Sequence, residues 1–236
     1  MTDRQITFRA EMVRALLSGR KSMTRRLLKP QPPTGLMPEC YAIPGEAQPV
    51  GSGWSRGDRL WVREVFAYGW PVEGNHQLPE CNQEHAITYR ADGNRPFGSR
   101  RRWHSPIHMP RWASRLTLTV TDVRVQRLQE ISEADAVAEG ATSRPECHGF
   151  CLRSFGWSMD WSRVGTLSRW ASAPPGSPRM NPLKESDISL GDPRMAFASY
   201  WNDLHGPEAW AANPWVAALT FETHRQNIDQ MEPTND

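Results

Sequence analysis

The residues whose types and spacing could do chemistry gather first in GRKSMTRR, Gly19 to Arg26. Arg20, Lys21, Arg25 and Arg26 crowd around a single hydroxyl, that of Thr24. Cations this dense need an anionic or polar answer, and a solvated basic turn is the plain alternative. A threonine hydroxyl becomes a nucleophile only when a base takes its proton. A lysine can be that base if desolvation or neighbouring cations lower its pKa. Two carboxylates invite the same attention. Glu139 ends a short helix, where a negative charge opposes the macrodipole; it is either an ordinary helix-end residue or one placed there for function. Glu64, in the run VRE, shares the alternation of Leu60 and Val62 and so points inward on a regular strand. An inward carboxylate needs a partner, and Lys21 or Arg26 is expected to supply it.

A second cluster pairs cations with indoles. Arg100, Arg101 and Arg102 precede Trp103, and Trp61 lies on the strand of Glu64. Charge for phosphate and a flat face for stacking suit a base or a single-stranded nucleic acid; a solvated loop with core-filling tryptophans reads equally well. His104 and His108 have the i, i+4 spacing of helical metal ligands, but Pro106 and Pro110 argue against a helix there. Cys147 and Cys151 flank His148, with Cys40, Cys81 and His85 far off. A structural zinc could draw on these four cysteines, although unpaired thiols are the simpler expectation.

These side chains must be positioned by local elements. Phe8, Met12, Ala15 and Leu16 form the stripe of an amphipathic helix stopped by a left-handed Gly19. GDRLWVREVF predicts a turn and a strand, and AITYRAD another strand. LTLTVTDVRVQRL alternates on Leu116, Leu118 and Val120, then on Val123 and Val125, so a bulge or bend is expected near Asp122. Ser132 predicts an N-cap, with Asp135 at the capping-box position, for a helix Glu133 to Glu139 stopped by Gly140. Asp192 and Pro193 open a last helix with Phe197, Trp201 and Leu204 as its stripe. NPWVAALTFE predicts a closing strand. The tail from Arg225 is polar and expected to fray.

Composition narrows the class. Twenty Pro and 17 Gly imply many loops and less helix than average. A net charge of +2 is too small to imply nucleic acid by itself. No run of about 18 apolar residues predicts a membrane span, and the charged N-terminus does not read as a signal peptide. A cytoplasmic location without membrane association is expected, with the cysteines reduced.

GRKSMTRR after an apolar helix resembles the signature of the ASCH domain, a small β-barrel family of the PUA-like superfamily. The matching positions are Gly19, Lys21, Thr24 and Arg26. The turn at Gly57–Asp58 before LWVRE, the short helix of ISEADAVAEGA, and the Phe197–Trp201 helix followed by a strand ending Phe221–Glu222 resemble further landmarks of the phage and prophage members. The resemblance covers roughly residues 6–26, 57–66, 116–140 and 196–222. It implies an α+β, mostly β fold: a PUA-like barrel with flanking short helices in a single domain 1–224. Long insertions would lie at about 28–56, 67–115 and 141–190, followed by a disordered tail at 225–236.

Family members include an amidohydrolase that removes an acetyl group from acetylcytidine. Its catalytic positions fall on Lys21, Thr24 and Glu139. The resemblance therefore implies a nucleobase- or nucleoside-recognising protein, with an amidohydrolase acting on an acylated cytidine-type base as the specific activity and no cofactor. Arg20, Arg25, Arg26, Trp61, Glu64, Arg100–Arg102 and Trp103 would bind the modified nucleoside or a single-stranded nucleic acid. A non-catalytic RNA- or DNA-binding module is the alternative, and a nuclease the next.

Overall fold

Short strands dominate the described residues, as the abundance of turn-forming residues predicts. The structure is a computed structural model describing residues 2–32, 53–68, 70–72, 87–93, 95–97, 102–143, 157–159 and 191–231. In chain order it contains β1 (Asp3–Thr7), α1 (Ala10–Leu17), β2 (Met23–Leu27), β3 (Arg59–Arg63), β4 (Phe66–Tyr68), β5 (Trp70–Val72) and β6 (Ile87–Tyr89). Then follow β7 (Arg95–Phe97), β8 (Thr117–Arg127), α2 (Glu133–Ala138), β9 (Thr142–Ser143), β10 (Trp157–Ser158), α3 (Pro193–His205) and β11 (Trp215–His224). The architecture is mixed α/β with strands in the majority.

The principal sheet has five strands in the order β1-β3-β8-β11-β2. β1 runs parallel to β3 with Ile6 opposite Val62, and β3 antiparallel to β8 with Leu60 opposite Leu118. β1 and β2 are its edges. Among the described residues the sheet stays open, where the family resemblance implied a closed barrel. Three two-stranded pairs, β4-β6, β5-β7 and β9-β10, complete the pairing.

The chain divides into two compact units, one of Met1–Gly19, Ser55–Asp122 and Thr220–Asp236, the other of Arg20–Trp54 and Val123–Leu219. β8 and β11 each run from one unit into the other. The switch of alternation expected near Asp122 falls at one of these boundaries. Leu116, Leu118 and Val120 are buried and Asp122 and Arg124 exposed, while β8 continues unbroken.

In the first unit, α1 buries Met12, Val13, Ala15 and Leu16. Gly19 stands just past its end at φ 72°, the left-handed conformation that glycine reaches without a Cβ clash. The nearby carbonyl of Leu17 accepts from Arg225. Another cluster packs Phe66, Met109 and Ala113 with Tyr68, Ile87 and Tyr89. The segment expected to fray is held as far as Met231: Asn227 Nδ2 donates to the carbonyls of Arg111 (2.9 Å) and Ser114 (2.7 Å), and Ile228 is buried. A side-chain amide answering several carbonyls fixes a chain end that composition alone leaves loose.

In the second unit, α3 begins with Asp192 accepting from the Arg194 amide (2.6 Å) and buries Phe197, Tyr200 and Trp201. Leu28, Leu128, Ile131, Ala136, Val216 and Leu219 are also buried there. No helix of the described residues is long and apolar enough to cross a membrane.

Candidate active site

The site in the second unit is built around the end of α2. Ser132 Oγ accepts from the Asp135 amide at 3.0 Å and starts the helix. At the other end Gly140 takes φ 110°. Its amide donates to Val137 O (2.8 Å) and that of Ala141 to Ala136 O (3.1 Å), a Schellman closure. That pattern leaves the carbonyls of Ala138 and Glu139 to partners outside the helix. The Ser22 amide answers the first at 2.9 Å, and Lys21 Nζ the second at 2.8 Å. Lys21 therefore places a cation at the negative end of the helix, which offsets the placement of Glu139 against the dipole.

The side chains converge as well. Asp135 and Glu139 are four residues apart, on one face of the helix end. Lys21 Nζ lies 2.6 Å from Glu139 Oε2, and Arg25 Nη1 lies 3.2 Å from Glu139 Oε1. Arg25 Nη2 also reaches Asp135 Oδ2 at 2.6 Å, and Arg124 Nη2 holds Asp135 Oδ1 at 3.0 Å. Lys21 and Glu139 are each only 3% exposed, so the solvated basic turn is not what forms. Arg25 is buried too, its guanidinium 5.8 Å from the centroid of the Phe197 ring.

Burial pushes the Lys21 pKa down; Glu139 opposes this while Arg26 and Arg25 add to it, and the net value lies below the ordinary lysine range. Burial pushes Asp135 up, but the hydrogen bond from Arg124 and the charge and hydrogen bond of Arg25 outweigh it and hold the carboxyl low. Thr24 is buried on β2, in alternation with Met23 and Arg25, and its hydroxyl forms no hydrogen bond with the described residues. The arrangement offers a buried amine that can exchange a proton, a carboxylate fixed at both oxygens, and an uncommitted hydroxyl on the adjoining strand.

Family models, curated proteins and solved structures give no match to this chain. The functional reading therefore rests on the chain's own motifs and geometry.

The remaining predicted residues are placed as follows. Glu64, in the first unit, is buried as expected, but its partner is Arg115 and not the anticipated Lys21 or Arg26. Arg115 Nε and Nη2 bind the two Glu64 oxygens at 2.8 and 3.1 Å, and Nη1 and Nη2 bind Asp92 at 2.8 Å each. The guanidinium lies 3.9 Å from the Tyr89 ring centroid. Burial pushes the Tyr89 phenol up to about 12, and its hydroxyl donates to Ala113 O at 2.8 Å.

Trp61, expected to stack on a base, is 8% exposed, and its ring is met by the Arg63 guanidinium at 4.8 Å. It packs as a core residue. Arg102 is exposed and Trp103 half-buried in the first unit, and Arg20 is exposed in the second. Arg26 is half-buried. Arg100 and Arg101 lie outside the described residues. His104 pairs through its backbone with Phe66 and stacks on that ring at 5.4 Å, while His108 ends a 3-10 turn, so the two do not share a helix.

Cys40, Cys81, Cys147 and Cys151, with His85 and His148, lie outside the described residues. Within those residues no group of three or more His, Cys, Asp or Glu is placed to hold a metal. Sequence reasoning missed Asp135, read only as a capping residue, and its link through Arg25 to Glu139. The signal was there in its i, i+4 spacing from Glu139.

Proposed function

We propose that the protein is an ASCH-type, PUA-like protein that recognises a modified nucleobase or nucleoside and hydrolyses an acyl amide on it, as on an N-acylated cytidine. The observation that carries this reading is the 2.6 Å contact of Lys21 Nζ with Glu139 Oε2, made by buried groups 118 residues apart. Thr24, which completes the catalytic set implied by the family resemblance, lies on the strand just after Lys21.

In this reading Lys21, in its neutral form, takes the Thr24 proton as Oγ1 attacks the acyl carbonyl carbon. The C–N bond then breaks. The departing exocyclic amine receives the proton from the Lys21 ammonium, leaving an acyl ester on Thr24. Lys21 then takes a proton from the water that attacks the ester carbonyl, and passes it to Thr24 Oγ1 as the ester C–O bond breaks, which releases the carboxylic acid and restores the threonine hydroxyl and the neutral amine. Glu139 orients the amine throughout and stabilises its protonated form. The ion pairs also weigh against the phosphate-binding alternative, because Lys21 and Arg25 already answer carboxylates; of the cations expected to bind phosphate, Arg20 and Arg102 are exposed among the described residues.

The test is a panel of N-acylated nucleosides with the purified protein, following release of the carboxylic acid. Wild-type protein is expected to turn over at least one. Lys21→Ala and Thr24→Ala should each lose on the order of 100-fold to 10,000-fold in kcat while remaining folded. The rate should rise with pH through the Lys21 pKa, on a limb lying below the ordinary lysine range. Absence of turnover across the panel, or a Lys21→Ala protein that stays active, sinks the hydrolase. Weaker binding of a single-stranded oligonucleotide with a shallower salt dependence in an Arg20→Ala variant would favour the binding module.

A further inference from the structure

The contacts at the end of α2 form one line of alternating charge. Arg124, with a side chain 43% exposed, binds Asp135; Asp135 binds Arg25; Arg25 binds Glu139; Glu139 binds Lys21, whose side chain is 2% exposed. Arg25 is the hinge of this line. It lies outside the Gly19, Lys21, Thr24 and Arg26 pattern, yet its side chain is fully buried and bridges two carboxylates presented on the same helix face. A planar guanidinium can hold two carboxylates in fixed directions, which an ammonium cannot.

We propose that Arg25, anchored by Asp135, is a positioning residue for the Lys21–Glu139 pair: it fixes Glu139 Oε1 so that Oε2 is aimed at Lys21. The inference deepens the hydrolase reading, and its consequence for turnover rests on that reading. The placement of Glu139 does not.

Two effects of opposite sign follow. Without Arg25, Glu139 loses a donor and Lys21 loses a neighbouring cation, so Lys21 holds its proton more tightly. Without the charge of Asp135, the positive charge of Arg25 is less offset and acts more fully on the pair, so Lys21 gives up its proton more readily. Among the described residues, Glu139, Arg25 and Arg26 bear on Lys21 in this balance.

The chain contains three lysines, Lys21, Lys29 and Lys184. Carbon-13 labelling of the lysine ε position therefore resolves the titration of Lys21 in the intact protein, with Lys21→Met identifying its signal. Arg25→Met should move the Lys21 midpoint up, Asp135→Asn should move it down, and Arg25→Lys should fail to restore the wild-type value. Midpoints that stay put, or that move in the same direction in both variants, overturn the proposal. Asp135→Asn keeps the test alive if Arg25→Met does not fold.

If wild-type protein turns over an acylated nucleoside, Arg25→Lys should lower kcat on the order of tenfold to a hundredfold with little change in KM. Unchanged kcat would show that Glu139 placement does not matter to the reaction. Opposite titration shifts without any turnover would uphold the placement and reject the hydrolase.

Discussion

Each of the two units buries a glutamate in an ion network, and the networks differ in the cation that answers it. Glu64 meets Arg115, whose guanidinium binds both Glu64 oxygens, binds Asp92 as well, and lies over Tyr89. Such a cation does not give up its proton, and every contact directs the pair toward staying as it is. Glu139 meets Lys21, whose ammonium is desolvated and flanked by Arg25 and Arg26. Equal burial of two carboxylates thus produces a structural clamp in one unit and a site able to move a proton in the other.

The largest expected effect separates the two directly. Glu139→Ala should cost about 3–5 kcal/mol near neutral pH, because it strands the buried Lys21 ammonium; Glu64→Ala should cost less, because Arg115 is partly exposed and keeps Asp92. As pH rises, Lys21 can lose its charge and the cost of Glu139→Ala should shrink, whereas Arg115 keeps its charge and the cost of Glu64→Ala should stay level. Urea denaturation at pH 7 and at moderately alkaline pH reads the difference, and parallel behaviour of the two variants would erase the distinction. Ser132→Ala comes next, at about 1 kcal/mol from the lost cap. It should leave the Glu64 network untouched while loosening the helix that carries Asp135 and Glu139, which amide exchange in α2 would report.

The smallest effect concerns acid. The Asp135 pKa is held below the ordinary carboxylate value, so its contribution to stability is present above that value and is lost as pH falls through the depressed one. Wild-type melting temperature should therefore fall more steeply on the acid side than that of Asp135→Asn. Equal slopes would remove Asp135 from the line of charges.

What could be read from the sequence was local. Gly19 and Gly140 stop helices because only short-range geometry decides that, and Ser132 and Asp192 start them for the same reason. The change of phase at Asp122 was visible because alternation is a property of neighbours. β1 and β2 were not visible. Each is five residues long and carries charges in a period-two setting where apolar residues would announce a strand. β2 hid inside the basic signature: Arg25 reads as a surface cation until a helix 110 residues later supplies Asp135. Arg115 escaped for the same reason, since its pairing with Glu64 spans 51 residues. The convergence of Lys21 with Glu139 followed from the family resemblance and not from any local rule.

The order in which the units are strung along the chain has a consequence for biosynthesis. The first unit draws on Met1–Gly19 and on Thr220–Asp236, with Arg20–Trp54 and Val123–Leu219 assigned to the other. α1 therefore leaves the ribosome well before β11 and must wait for it before its unit is whole, whereas domains made from contiguous sequence can fold as they emerge. During that interval the apolar stripe of α1 is a natural target for a holding chaperone.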